Sequence, residues 1–95
     1  MRTVSVTEVP TDAQLIDVRE VNEFEDVHAA TAINMPMSDF MSHVDNVDKE
    51  REVYLICKSG GRSAQVGQYL EAAGYDAINV AGGTDGWVAA GLPTG

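Results

Sequence analysis

The sequence is poor in cysteine, in basic side chains and in long apolar runs, and each shortage removes a class of function. A single cysteine, Cys57, excludes an internal disulfide framework and suits a reducing compartment. Any thiol chemistry must begin at that one position. Six Lys and Arg stand against fifteen Asp and Glu, a net charge of −9. Such a surface repels nucleic acid and anionic lipid, so neither is expected as a partner. No apolar stretch is long enough to span a bilayer, and Met1 to Pro10 lacks the hydrophobic segment of a secretory leader. The expected address is therefore the cytoplasm. His28 and His43 lack metal-like spacing to each other and to Cys57, so no metal is expected. Neither glycine fingerprint of a nucleotide site is present.

What the chain does have is enough apolar residue to fold. Its 95 residues are 44% hydrophobic, without repeats or low-complexity tracts, and are expected to form one domain over 1–95. A domain of this size buries roughly 60–70% of the surface that its unfolded chain exposes. Short apolar runs rich in β-branched residues predict strands at Val4–Val6, Leu15–Val18, Ala32–Met35, Val53–Ile56 and Ala77–Val80. The second and fourth are too continuously apolar to be wet on one face, and read as central strands covered on both sides. Helices are predicted at Val21–Val27, Ser38–Val44, Arg62–Ala73 and Thr84–Ala90. The third is the clearest, with Val66, Leu70 and Ala73 on one face and Gly74 just past its end. Alternating strands and helices predict an α/β sandwich built on a mainly parallel sheet.

In such folds the chemistry gathers at the carboxyl ends of strands. The chain there reads Ile56-Cys57-Lys58-Ser59-Gly60-Gly61-Arg62-Ser63, with the clearest helix following. The glycines let the backbone turn its N–H groups inward, and the helix start adds unpaired donors. Lys58 and Arg62 place two of the six basic residues within six positions, a local anion site in a repelling field. Together these favour a thiolate, whose ordinary pKa of about 8.5 falls by one or more units at comparable sites. Without the loop, a lone cysteine after an apolar strand reads as inert core. With it, the order points to a thiolate site and names no reaction.

The loop Cys57 to Ser63 resembles the active-site loop of single-domain rhodaneses, the sulfurtransferases. Three further segments carry the likeness in order: Leu15-Ile16-Asp17-Val18-Arg19-Glu20 with Glu23-Phe24, Ala32-Ile33-Asn34-Met35-Pro36, and Val80-Ala81-Gly82-Gly83 with Trp87, Gly91 and Pro93. The resemblance spans Leu15 to Pro93 and implies a five-stranded, mainly parallel sheet with helices on both faces. It also implies that Cys57 takes sulfur from a small donor such as thiosulfate, becoming a persulfide, and passes it to cyanide, a thiol or a protein acceptor. The backbone of Lys58, Ser59, Gly60, Gly61 and Arg62 would surround the sulfur, without metal or organic cofactor. One departure is that the family's common Gly-His-Ile is reduced here to His28, in Val27-His28-Ala29-Ala30.

The remaining residues have plainer readings. Asp17 and Arg19 are expected to form a structural ion pair supporting the loops, since buried charges need partners. His28 and His43 read as surface or structural residues, and Trp87 as core. Glu20, Glu23, Glu25 and Asp26 read as a solvated helix face, with recognition of a basic partner as the alternative. Two rival functions stay open. One is a non-catalytic rhodanese-like interaction module. The other is a cysteine phosphatase or arsenate reductase, whose loops place five residues between cysteine and arginine where this chain has four.

Overall fold

A computed structural model describes all 95 residues. Five strands form one sheet: β1 (Arg2–Ser5), β2 (Gln14–Asp17), β3 (Ile33–Asn34), β4 (Val53–Ile56) and β5 (Ala77–Ala81). Their order across the sheet is β1-β5-β4-β2-β3, and every pair is parallel. The α-helices are α1 (Val21–Asp26), α2 (Gly61–Ala72) and α3 (Gly83–Ala89). No helix is long and apolar enough to cross a membrane.

The central position of β4 explains its unbroken apolar run. All four of its residues are buried, and their alternation deals them to two cores. Val53 and Leu55 pack with Ile16, Val18, Phe40, Val66 and Leu70 beneath α2. Tyr54 and Ile56 pack with Leu15, Ile78, Val80 and Trp87 on the side of α3. Cys57, directly after β4, continues the α2 side of this alternation and belongs to that core. Gly67 of α2 faces Leu55, and the place of its absent side chain is filled by the Met1 thioether.

Three expectations need correction. The helix predicted over Ser38–Val44 is instead two 3-10 segments, Met37–Ser42 and Val44–Asn46, with Asp39 out of helical geometry (φ −133°). Polar side chains take over the hydrogen bonding there. The Glu20 carboxylate accepts from Ser38 Oγ (2.5 Å), and Ser42 Oγ donates to the Asp39 carbonyl (2.8 Å). The first strand ends at Ser5, because Glu8 accepts from the Ser5 amide (2.8 Å) and closes a 3-10 turn over Val6–Glu8. The third strand has only two ladder residues, Ile33 and Asn34, although Met35 and Met37 still donate to the carbonyls of Asp17 and Val18. The other predicted elements lie within one residue of their observed bounds.

Candidate functional site

The chain leaves β4 at Cys57 and must reverse within four residues to enter α2. Gly60 makes this possible with φ +123°, a conformation that a side chain would strain. The reversal brings the Gly60 amide to 3.1 Å from Cys57 Sγ and the Ser63 hydroxyl to 3.3 Å from it. Cys57 itself is almost wholly buried.

A second element holds the loop from outside. The Thr84 amide and Oγ1 both donate to the Cys57 carbonyl, at 2.8 and 3.1 Å, and the Asp85 amide donates to the Lys58 carbonyl at 3.1 Å. Gly83, at φ +57°, sits so close that any Cβ would overlap those same two carbonyls. In a trans peptide the C=O and N–H point in opposite directions. Fixing the carbonyls of Cys57 and Lys58 on α3 therefore turns the amides of Lys58 and Ser59 away from α3.

These donors decide the state of the sulfur. Burial, the largest single influence, pushes the Cys57 thiol up. The Ser63 hydroxyl and the amides of Ser63, Gly60 and Ser59 together outweigh it, so the thiol lies below its ordinary value. The cradle is thus made of backbone and one hydroxyl, in a site dry enough for each bond to count.

The charged side chains go elsewhere. Lys58 Nζ reaches Asp85 (2.7 Å) in an exposed pair. Arg62 makes a two-pronged pair with Glu23 of α1 at 2.6 and 2.9 Å. Asp17 and Arg19 form the expected buried pair, with Nη2 to Oδ2 at 2.8 Å. Arg19 also donates to the Val27 carbonyl at 2.7 Å, tying α1 to the end of β2. The acidic group divides: Glu20 binds Ser38 and Glu23 binds Arg62. A cleft of about 360 Å³ opens beside the loop between α1 and α3, lined in part by Arg19, Glu23, Asp26, Lys58, Asp85 and Val88. His28 stacks on Phe24, with its Nδ1 2.7 Å from the Phe24 carbonyl, and His43 lies 3.4 Å from Asp39. Trp87 is buried and donates to the Pro93 carbonyl (2.7 Å). Where the family's Gly-His-Ile is missing, Ala29 bridges to Thr94 and Ala30 donates to Pro93.

The Glu23–Arg62 pair predicts an acid-sensitive link between α1 and α2. The Arg62 guanidinium holds the Glu23 carboxyl down to about 2, from an ordinary 4.5. The unfolded chain then takes up the proton first, so the pair's contribution is full above about pH 4.5 and is lost as pH falls through about 2. Glu23→Gln should flatten stability against pH in that window, measured by urea midpoints. An unaltered acid slope would show that the pair contributes nothing to it.

Four residues with structural roles at the site received none from the sequence: Ser63, Asn79, Gly83 and Thr84. Asn79, on β5, places its Oδ1 2.6 Å from Ser63 Oγ. It was findable as the one polar residue in the apolar run Ala77-Ile78-Asn79-Val80, because a polar side chain in a buried strand needs a partner. Thr84 carried no such signal.

A family model described as rhodanese-like domain matches residues 7–90. The putative sulfurtransferase YtwF of Bacillus subtilis is 36% identical over 80 residues, covering 84% of this chain and 78% of that protein. The thiosulfate sulfurtransferase GlpE of Actinobacillus pleuropneumoniae is 34% identical over 82 residues, covering 85% and 76%. Among solved structures, a rhodanese-like domain protein from Staphylococcus aureus superposes with a TM-score of 0.85 at 32% identity, covering 92% of this chain and 91% of that one. With the family model spanning residues 7–90 and both relatives more than 30% identical over most of their length, the chain belongs to the rhodanese-like domain family.

Proposed function

We propose that this protein is a sulfurtransferase whose Cys57 carries sulfane sulfur as a persulfide. The observation that carries the reading is the pair of donors aimed at the buried sulfur, the Gly60 amide at 3.1 Å and the Ser63 hydroxyl at 3.3 Å from Cys57 Sγ, which favour its anion. The thiolate attacks the outer sulfur of a donor such as thiosulfate. A new S–S bond forms at Sγ, the bond to the sulfonate sulfur breaks, and sulfite leaves with its electron pair. The outer sulfur is then taken by cyanide, which leaves as thiocyanate, or by a thiol, and Cys57 returns as thiolate. No oxidant is consumed, and the pattern is ping-pong covalent catalysis. The loop amides that favour the thiolate favour the anionic persulfide for the same electrostatic reason.

A second reading, a carrier that exchanges sulfur with one protein partner, is supported by the cleft. Glu23, Asp26 and Asp85 line it, and its cations Arg19 and Lys58 are already paired. That surface is poorly suited to a small dianion. A phosphatase is disfavoured because Arg62, which would have to face a phosphate, is engaged by Glu23.

The test is the intact mass of the reduced protein before and after thiosulfate. A gain of one sulfur, reversed by cyanide, supports the persulfide. Loading from a persulfide donor but not from thiosulfate favours the carrier, and no loading from either overturns both readings. Lys58→Ala should change thiosulfate kcat/KM by no more than about twofold, since an exposed ion pair contributes little and is screened by salt. A tenfold loss would place the Lys58 charge on the donor after all.

A further inference from the structure

Three acceptors compete for the single proton of the Ser63 hydroxyl. Its Oγ lies 2.6 Å from Asn79 Oδ1, 3.2 Å from the Gly60 carbonyl and 3.3 Å from Cys57 Sγ. Ser63 is completely buried and Asn79 nearly so, so water cannot supply further donors. A hydroxyl donates one hydrogen bond at a time. Asn79 is held in place by its own amide, which donates to the Gly60 carbonyl at 3.3 Å and leaves Oδ1 directed at Ser63. The Gly60 carbonyl also receives the Ala64 amide at 3.2 Å, so it does not depend on Ser63.

We infer that Asn79 is a positioning residue that competes with the Cys57 sulfur for the Ser63 hydroxyl, and thereby sets how strongly the loop stabilises sulfur anions. With a neutral thiol, the hydroxyl rests on Asn79. When the sulfur becomes charged, the hydroxyl rotates to it and gives up the Asn79 bond, so part of the stabilisation is offset. The device tempers the site. A thiolate held too firmly is a weaker nucleophile, because nucleophilicity falls as thiol pKa falls. The charged groups around the loop are Lys58 with Asp85 of α3, Arg62 of α2 with Glu23 of α1, and the Asp17–Arg19 pair at the end of β2. None of them hydrogen-bonds to the side chain of Asn79 or of Ser63.

The inference rests on Cys57 being the reacting group, but its test needs no sulfur donor, so it stands or falls apart from sulfur transfer. The chain has one cysteine and three tyrosines, so thiolate absorbance can be titrated with the Cys57→Ser protein subtracted as the tyrosine background. Ser63→Ala should raise the thiol pKa. Asn79→Leu, similar in size and without an acceptor, should lower it, increasing the thiolate fraction below the midpoint by about threefold to tenfold, the range expected for one hydrogen bond. Asn79→Asp, which holds the hydroxyl harder and adds a charge of the same sign as the thiolate, should move it up. It also covers the case in which Asn79→Leu does not fold. In the Ser63→Ala background, Asn79→Leu should have no further effect. A rise in Asn79→Leu would mean that Asn79 donates to Ser63 instead of competing with the sulfur. An equal fall with and without Ser63 would mean that Asn79 acts by another route. Either result overturns the inference.

Discussion

Cys57→Ser is expected to abolish sulfur transfer and leave the protein folded. The substitution changes one atom in a buried position, where a serine Oγ can still accept from the Gly60 amide and the Ser63 hydroxyl keeps its Asn79 partner. Its stability should change by no more than about 1 kcal/mol, within the range of mild substitutions. The chemistry has no such latitude. A serine hydroxyl does not ionise in this cradle at neutral pH, and oxygen cannot replace sulfur in a persulfide. Thiosulfate-to-cyanide turnover should fall by about a thousandfold or more, as when other covalent catalysts lose their nucleophile. Urea unfolding read beside the turnover assay separates the two effects. Transfer surviving in a folded variant would move the nucleophile away from Cys57.

Gly83→Ala should damage the site and the fold together, though no side chain of the loop is altered. The new methyl group would have to occupy the space of the Cys57 and Lys58 carbonyl oxygens, at a φ of +57° that already disfavours any side chain. These are backbone atoms pinned by Thr84 and Asp85, so they cannot move aside without giving up those bonds. A cost of about 2–4 kcal/mol is expected, combining left-handed backbone strain with overpacking. In the folded fraction, the amides of Lys58 and Ser59 should lose their aim. The prediction is a higher thiol pKa and at least tenfold slower transfer than wild type, measured per folded molecule. Gly86→Ala is the control on the same helix, because its Cβ would meet only Val6 at an ordinary 3.6 Å. Equal losses in both variants would show that helix stability, and not the approach of Gly83 to the loop, is responsible.

The sequence was legible where the deciding interactions are local or periodic. The apolar runs of β2 and β4 announce burial on both faces, and Val66 and Leu70 announce the face of α2. Cys57 and its glycines are contiguous, so the loop could be read as a unit. It was illegible where the decision belongs to another part of the chain. The segment after Pro36 has an apolar spacing that suits a helix, but Glu20 and Ser42 divert its hydrogen bonds. Lys58 and Arg62 look like the charges of an anion site until Asp85 and Glu23 arrive from α3 and α1. Thr84 grips the Cys57 carbonyl from 27 residues downstream, with no local pattern to announce it. Asn79 was announced only by being polar, and its distance from Ser63 had to be seen.

The strand order carries a consequence for the birth of the molecule. The first strand pairs only with β5, and the thiol acquires its full cradle only when the residues just beyond β5 reach Cys57 and Lys58. A chain emerging from the ribosome has already exposed its cysteine before either event can happen. Until residues 77–85 follow, the carbonyls of Cys57 and Lys58 lack the Thr84 and Asp85 donors that turn the Lys58 and Ser59 amides away from α3. The segment that gives the first strand its neighbour therefore also completes the brace behind the loop.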